Sequence, residues 1–389
     1  MINIYNLLKV YRRIDSPRIK LLGLIALHVL HRRYSCLFFD PVLACNLRCR
    51  MCYFSDAEAR RTMHGRFTER DLEAIAAALF PHMLKLQIGC GAEPTVSPLL
   101  LRAVELGRKY EVPYISITTN GMLLNRELLM QLVNGGLSEL TLSGHGFSKP
   151  VYEELMQGAS FERFTQLIAT LREVRATEAG QRLKIRINFT VNEDNIGDLP
   201  KFASTFSGLH IDVLQIRPIQ KIGESEYSNF SRTALINRYD ECIMPVVETC
   251  RELGTQCLYP QKQTLMQSDD TSAPDNMNSV VDMIPYFQLS PHDGWKDKID
   301  PLSREFLRLL PPHPSSGLHA AQPHKLSRRQ AQRPHQGHEL RRVVTPRGLT
   351  RYIHRPRRLH LQPATASPAT IICEPTTSTC RRKTPQTKE

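Results

Sequence analysis

Between residues 36 and 218 short apolar runs alternate with longer stretches whose apolar residues fall three and four apart. The sharpest run is KIRINFTV at 184–191. Ile185, Ile187, Phe189 and Val191 alternate with Lys184, Arg186, Asn188 and Thr190, the period of two that marks a strand. Further strands are expected at 36–39, 84–88, 114–118, 139–143 and 211–216. The first intervening stretch, FTERDLEAIAAALF, opens on Thr68 as an N-cap and spaces Leu72, Ile75, Ala76 and Leu79 along one helix face. Strand and helix in turn predict an α/β fold of parallel units joined by right-handed crossovers. Six such units make a partial, open (β/α)6 barrel. Helices cover the outside of such a barrel, so the polar face of KIRINFTV should line its lumen.

The pattern divides the chain into a helical segment at 1–35, the barrel at 36–230, a helical extension at 231–310 and a tail at 311–389. The run from Ile19 to Leu30 is broken by Lys20 and His28 and falls short of the roughly 18 to 20 residues that span a bilayer. It predicts an amphipathic helix packed against the barrel, in preference to a peripheral membrane contact. In the last 78 residues Tyr352 is the only aromatic, and no periodicity survives. That composition predicts a disordered tail.

Charge follows the same division. Residues 312–389 hold 15 of the 51 Lys and Arg but 3 of the 38 Asp and Glu, so +12 of the net +13 lies there. A near-neutral body argues against a broad nucleic-acid footprint on the barrel, and leaves the tail as either a basic arm that touches nucleic acid or an out-of-frame remnant. Ten cysteines, unevenly spaced over 389 residues, do not make a secreted disulfide framework and fit a reducing, cytoplasmic setting.

Four motifs fall immediately after predicted strands: CNLRCRMCYF at 45–54, GCGAEP at 89–94, TTNG at 118–121 and SGHG at 143–146. Parallel barrels gather their chemistry at this edge. Cys45, Cys49 and Cys52 stand at the spacing C-x-x-x-C-x-x-C, three soft thiolates in one short loop. They suit an iron-sulfur cubane with one iron left open, or a zinc site with His64 as fourth ligand. His145, in SGHG, is either a proton donor or substrate contact, or plain polar loop.

The cysteine spacing, with Asn46 after the first cysteine and Tyr53 after the last, resembles the signature of the radical S-adenosylmethionine (radical SAM) enzymes. The resemblance implies a 4Fe-4S cluster on Cys45, Cys49 and Cys52, with S-adenosyl-L-methionine on the open iron. An external one-electron donor of the flavodoxin or ferredoxin type would then drive cleavage to a 5'-deoxyadenosyl radical that abstracts hydrogen from a substrate. GCGAEP is similar to the family's Gly-Gly-Glu-Pro motif, with Ala92 in place of the second glycine; the implied cofactor contacts are Gly91 and Glu93. Thr119, Asn120, Ser143 and Asn188 fit positions that meet the cofactor's ribose and carboxylate. Two positions depart from the family: Met51 stands where an aromatic is usual, and Met156 where an arginine often holds the carboxylate, with Arg186 as a substitute. Cys242, Cys250 and Cys257 hint at the peptide-modifying branch with a SPASM-like extension, hence a peptide or protein substrate. They lack its tight C-x-x-C pairs, so no second cluster is assigned. The reading from another class is a non-catalytic zinc- or iron-sulfur-binding protein whose basic tail contacts nucleic acid.

Overall fold

The structure is a computed structural model that describes residues 14, 16–30, 32–220, 225–227, 229–267, 286–291, 343–344 and 350–351. The strands are β1 (Ser35–Phe39), β2 (Met83–Ile88), β3 (Ile115–Thr119), β4 (Glu139–Ser143), β5 (Lys184–Val191), β6 (Val213–Pro218), β7 (Gln256–Leu258) and β8 (Tyr286–Leu289). The longer helices are α1 (Pro17–Val29), α2 (Glu69–Leu79), α3 (Leu100–Lys109), α4 (Arg126–Gly135), α5 (Phe161–Ala176) and α6 (Met244–Glu252).

Eight strands form one sheet in the order β7-β6-β5-β4-β3-β2-β1-β8, every pair parallel, and the sheet stays open between β7 and β8. The expected open α/β barrel is present. It gains two short strands beyond the six legible in the sequence, one at each edge. The expected disordered tail lies outside the described residues, except that Val343–Val344 pairs antiparallel with Thr350–Arg351 within a separate unit, Pro314–Ala366.

Local chemistry explains the boundaries. Thr68 caps α2 as expected, in a reciprocal box: its hydroxyl accepts the Asp71 N–H at 3.2 Å while Asp71 accepts the Thr68 N–H at 3.0 Å. Asn125 caps α4, and Gly136 ends it at φ 110°, a backbone state that costs glycine little. The apolar positions of β5 are fully buried: Ile185, Ile187, Phe189 and Val191 all have zero exposure. Phe189 meets Phe147, which also packs on Phe202 and Phe206, so an aromatic cluster fills the layer between sheet and helices.

Helix α1 differs from expectation. One set of its apolar side chains faces away from the barrel: Ile19, Leu22, Ile25 and Val29 are about half or more exposed, while Lys20 is buried. The run is apolar nearly all round, so periodicity did not determine which side faces inward.

Candidate active site

The cysteine loop leaves the C-terminal end of β1 and is pinned on two sides. Arg48 and Arg50 donate their backbone N–H groups to Gln157 and Leu155 at 2.9 and 3.0 Å. The Arg48 guanidinium reaches back to the Cys45 carbonyl at 2.8 Å. Cys45, Cys49 and Cys52 are all partly accessible. Backbone N–H groups of Leu47 and Phe54 point at the sulfurs of Cys45 and Cys52, at 3.4 and 3.5 Å. Such donors stabilise negative charge on sulfur and tune cluster potentials. Burial pushes the Cys45 thiol up to about 11, against the help of the Leu47 N–H. Cys49 is also raised, first by burial and then by the neighbouring Cys52 and Cys45. Among the described residues no three His, Cys, Asp or Glu side chains converge as they would on a single metal ion, and His64 is exposed. A cubane spreads its thiolates wider, one to each of three irons.

The second and third loops are locked to the first by one carboxylate. Glu93, 3% exposed, accepts from the Thr119 hydroxyl at 2.6 Å, the Asn120 N–H at 2.8 Å and both the N–H and hydroxyl of Thr95. Its own N–H goes to Ala44 in the cysteine loop at 3.0 Å. Asn120 continues the chain: its amide donates to Asn46 Oδ1 at 2.8 Å and lies 4.0 Å from Cys45 Sγ. Asp40, at the end of β1, accepts from the N–H groups of Cys90 and Gly91 at 2.7 and 3.1 Å. Burial raises its carboxyl, and those N–H groups oppose the rise. Tyr53 donates its hydroxyl to the Gly91 carbonyl. A Cβ on Gly91 would come within 2.8 Å of that hydroxyl, so the close approach explains the glycine.

Ser143 and Asn188 sit side by side across β4 and β5, and Asn188 differs from Glu93, Thr119 and Asn120 in having a polar atom to spare. The Asn188 Oδ1 is buried without a hydrogen-bond partner among the described residues. An orphaned acceptor of this kind is normally satisfied by a ligand or water. Thr119 and Asn120 spend theirs on protein groups, which makes them loop-shaping residues first.

Below this rim the lumen is charged. Glu139, 1% exposed, pairs with Arg186 at 3.1 Å and accepts from the Tyr114 hydroxyl at 2.7 Å. Burial opposes its ionisation, but Lys85 and Arg186 outweigh that and hold it down at about 2. Arg186 is therefore committed to Glu139, two residues below Asn188. Met156, where an arginine was sought, is fully buried in the core. Met51 packs against Leu155, Ile219 and Tyr227, an apolar wall at the rim that a thioether fills well. His145 accepts the Thr190 N–H on Nδ1 at 3.1 Å, so its proton is on Nε2. Burial and the charge of Arg217 push it down to about 4.

Two contributors, Asp40 and Arg50, were not singled out in the sequence. Asp40 carried a faint signal, an Asp-Pro step at a strand end. Arg50 joins the cysteine loop to Glu154 and Glu226 at 2.8 and 2.6 Å. Arg217 pairs in register with Thr190 on the lumen face. In the extension Cys242 and Cys250 are buried, and Cys257 is raised by a hydrogen bond with Cys250 and by burial, so Cys250 and Cys257 are neighbours. The surface hollow lined by Leu101, Arg108, Gln131 and Asn134 lies on the outer helical layer and shares no residue with the rim.

Residues 41–198 match the model for the Radical SAM superfamily. The chain is 28% identical over 223 residues to a probable GTP 3',8-cyclase of Thermoplasma volcanium, covering 57% of this chain and 62% of that one. It is 29% identical over 173 residues to the GTP 3',8-cyclase of Peptoclostridium acidaminophilum, covering 43% and 51%. The chain thus spans less than two thirds of the length of either relative. Among solved structures, Streptococcus suis SuiB bound to precursor peptide SuiA aligns at TM-score 0.50 and 15% identity, over 69% of this chain and 60% of that one; this is a likeness of fold. No described helix is long and apolar enough to cross a membrane. The part of the barrel built around the cysteine loop, residues 41–198, is thus similar to the radical SAM superfamily, enzymes that bind a 4Fe-4S cluster and S-adenosylmethionine.

Proposed function

We propose that this chain is a radical SAM enzyme in which Cys45, Cys49 and Cys52 hold the 4Fe-4S cluster and the rim residues Gly91, Glu93, Thr119, Asn120, Ser143 and Asn188 form the cofactor seat. The donor set fits: three thiols in one loop, with N–H groups aimed at two of the sulfurs, leave one iron of a cubane open. The observation that carries the reading is the orphaned Asn188 Oδ1 beside Ser143, an acceptor ready for a ribose hydroxyl. When bound, cluster and cofactor supply a 5'-deoxyadenosyl radical that takes a hydrogen atom from the substrate.

The chain's own residues do the rest. Glu93 fixes the positions of Thr119 and Asn120 against the cysteine loop. Asp40 holds the Gly91 turn, whose carbonyl accepts from the Tyr53 hydroxyl. Leu155, Ile219 and Tyr227 form a buried apolar backing behind the partly exposed Met51. His145, neutral at pH 7, offers an Nε2–H donor and no charge. An external donor of the flavodoxin or ferredoxin type, in a cytoplasmic setting, would deliver the electron.

For the substrate we read a peptide or protein, in line with the SuiB-like architecture. A nucleotide is the second reading. The cyclase relatives favour it, and so does the lumen charge, in which Lys85, Arg186 and Arg217 outnumber Glu139. Iron analysis after anaerobic reconstitution tests the first claim: about four irons per chain are expected, and none in any single Cys45, Cys49 or Cys52→Ala variant. Asn188→Ala and Ser143→Ala should retain iron and lose binding of S-adenosylmethionine. Binding of GTP to the reconstituted protein, against none to an unrelated peptide library, would move the substrate to the second reading.

A further inference from the structure

The outward face of α1 is the least expected feature of the molecule. Ile19, Leu22, Ile25, Val29 and the following Leu30 are 57, 64, 49, 65 and 66% exposed. At 100° per residue they fall within an arc of about 140°, so they form one stripe. Space beside Gly23 is empty as well, with nothing within 4 Å of an added Cβ. Lys20, on the opposite side, is buried. A helix face turned to water is normally polar.

The charge around the stripe is equally uneven. Residues 1–33 carry seven Lys and Arg against Asp15 alone, while residues 34–311 carry 29 Lys and Arg against 34 Asp and Glu. The near-neutral total of the first 311 residues therefore combines a basic N-terminal segment with a net negative remainder. Arg18 is exposed at the N-terminal end of the same face. An exposed apolar face flanked by excess positive charge is complementary to a bilayer surface with anionic headgroups, whose acyl boundary takes the apolar side chains and whose charge attracts the basic ones. At 13 residues α1 is too short to span, which leaves it in the interfacial plane.

We propose that α1 is an interfacial anchor that seats the barrel on an anionic lipid surface. The join to the barrel suits this role. Arg33, just past the helix, donates to the carbonyls of Phe80 and Tyr110 at 2.9 and 2.6 Å. Both lie at the N-terminal edge of the sheet, the opposite edge from the cysteine loop. An anchor fixed there leaves the rim open to solvent for a reductant and a substrate.

The test uses full-length protein floated with vesicles of phosphatidylcholine alone, or of phosphatidylcholine mixed with phosphatidylglycerol, at low and high salt. Wild type should float with the mixed vesicles, less with the neutral ones, and less again at high salt. The double variant Leu22→Gln with Ile25→Gln removes apolar surface and no charge, and it should cut partitioning at least about tenfold. Both side chains are exposed, so an unchanged thermal melt is expected and serves as the folding control. Undiminished floating of the double variant would overturn the proposal, because the basic tail would then be the binding element. Wild type that ignores anionic vesicles would overturn it too. So would a wild-type dimer that the double variant converts to monomer, which would assign the stripe to a second copy of the chain.

Discussion

Glu93 and Glu139 are both buried carboxylates, and they do opposite things. Among the described residues Glu93 pairs with no cation; it collects hydroxyl and N–H donors from two loops. Glu93→Gln would turn an amide donor toward groups that are themselves donors, at a cost of about 1–3 kcal/mol for each group left unsatisfied, and a lower thermal midpoint should record it. Glu139 instead offsets the lumen cations, with its carboxyl held down at about 2. A carboxyl depressed from 4.5 contributes stability that is fully present above about pH 4.5 and is lost as pH falls toward 2, on the order of 3 kcal/mol here. Acid titration of unfolding should show that loss, and Glu139→Gln should flatten the curve over the same window while lowering stability at pH 7. Glu93 was legible in the sequence because a motif surrounds it. Glu139 was not, because its meaning comes from Lys85 and Arg186, 54 and 47 residues away along the chain and brought together by strand register. The same holds for Arg186, which from β5 alone looked available for a carboxylate.

At the scale of elements, the sequence shows what repeats locally and hides what is set by edges. Central strands announce themselves by alternation, as β5 does, and the four loops that follow strands were legible because each carries a motif at its start. The edge strands β7 and β8 are three and four residues long, too short for a period to register. The outward face of α1 was hidden for a related reason: a helix apolar on nearly every side has no phase to read. The loop after β2 gives the clearest element-scale prediction. Gly89 has φ +80°, and a Cβ there would lie 2.4 Å from the Thr118 carbonyl and 2.6 Å from the Pro94 ring. Gly89→Ala must displace either β3 or the turn that ends in Glu93, at a cost of about 1–3 kcal/mol. A fall in thermal midpoint together with weaker binding of S-adenosylmethionine is expected, with iron content little changed, since the cysteine loop is held separately by Leu155 and Gln157.

For the molecule as a whole, the question is how much chain the site needs, and β8 answers it. This strand joins the sheet at β1, the strand that delivers the cysteine loop, through pairs from Cys36–Tyr286 to Phe39–Leu289. The Leu289 carbonyl accepts the Asp40 N–H at 2.9 Å, and the Asp40 side chain holds the Cys90 and Gly91 N–H groups of the second loop. A segment nearly 250 residues downstream of Asp40 thus helps position both halves of the rim. Two truncations separate this from the tail. A chain ended after Leu310 keeps all eight strands of the sheet and should remain monodisperse, with iron content after reconstitution equal to that of full-length protein. A chain ended after Gln267 loses β8, bares the edge of β1 and frees the Asp40 backbone; exposed strand edges pair with other chains, so it should aggregate on size exclusion and hold little iron. Equal iron in both truncations would show that β1 positions the cysteine loop without its outer neighbour, and loss of iron in the longer one would show that the site depends on residues beyond Leu310.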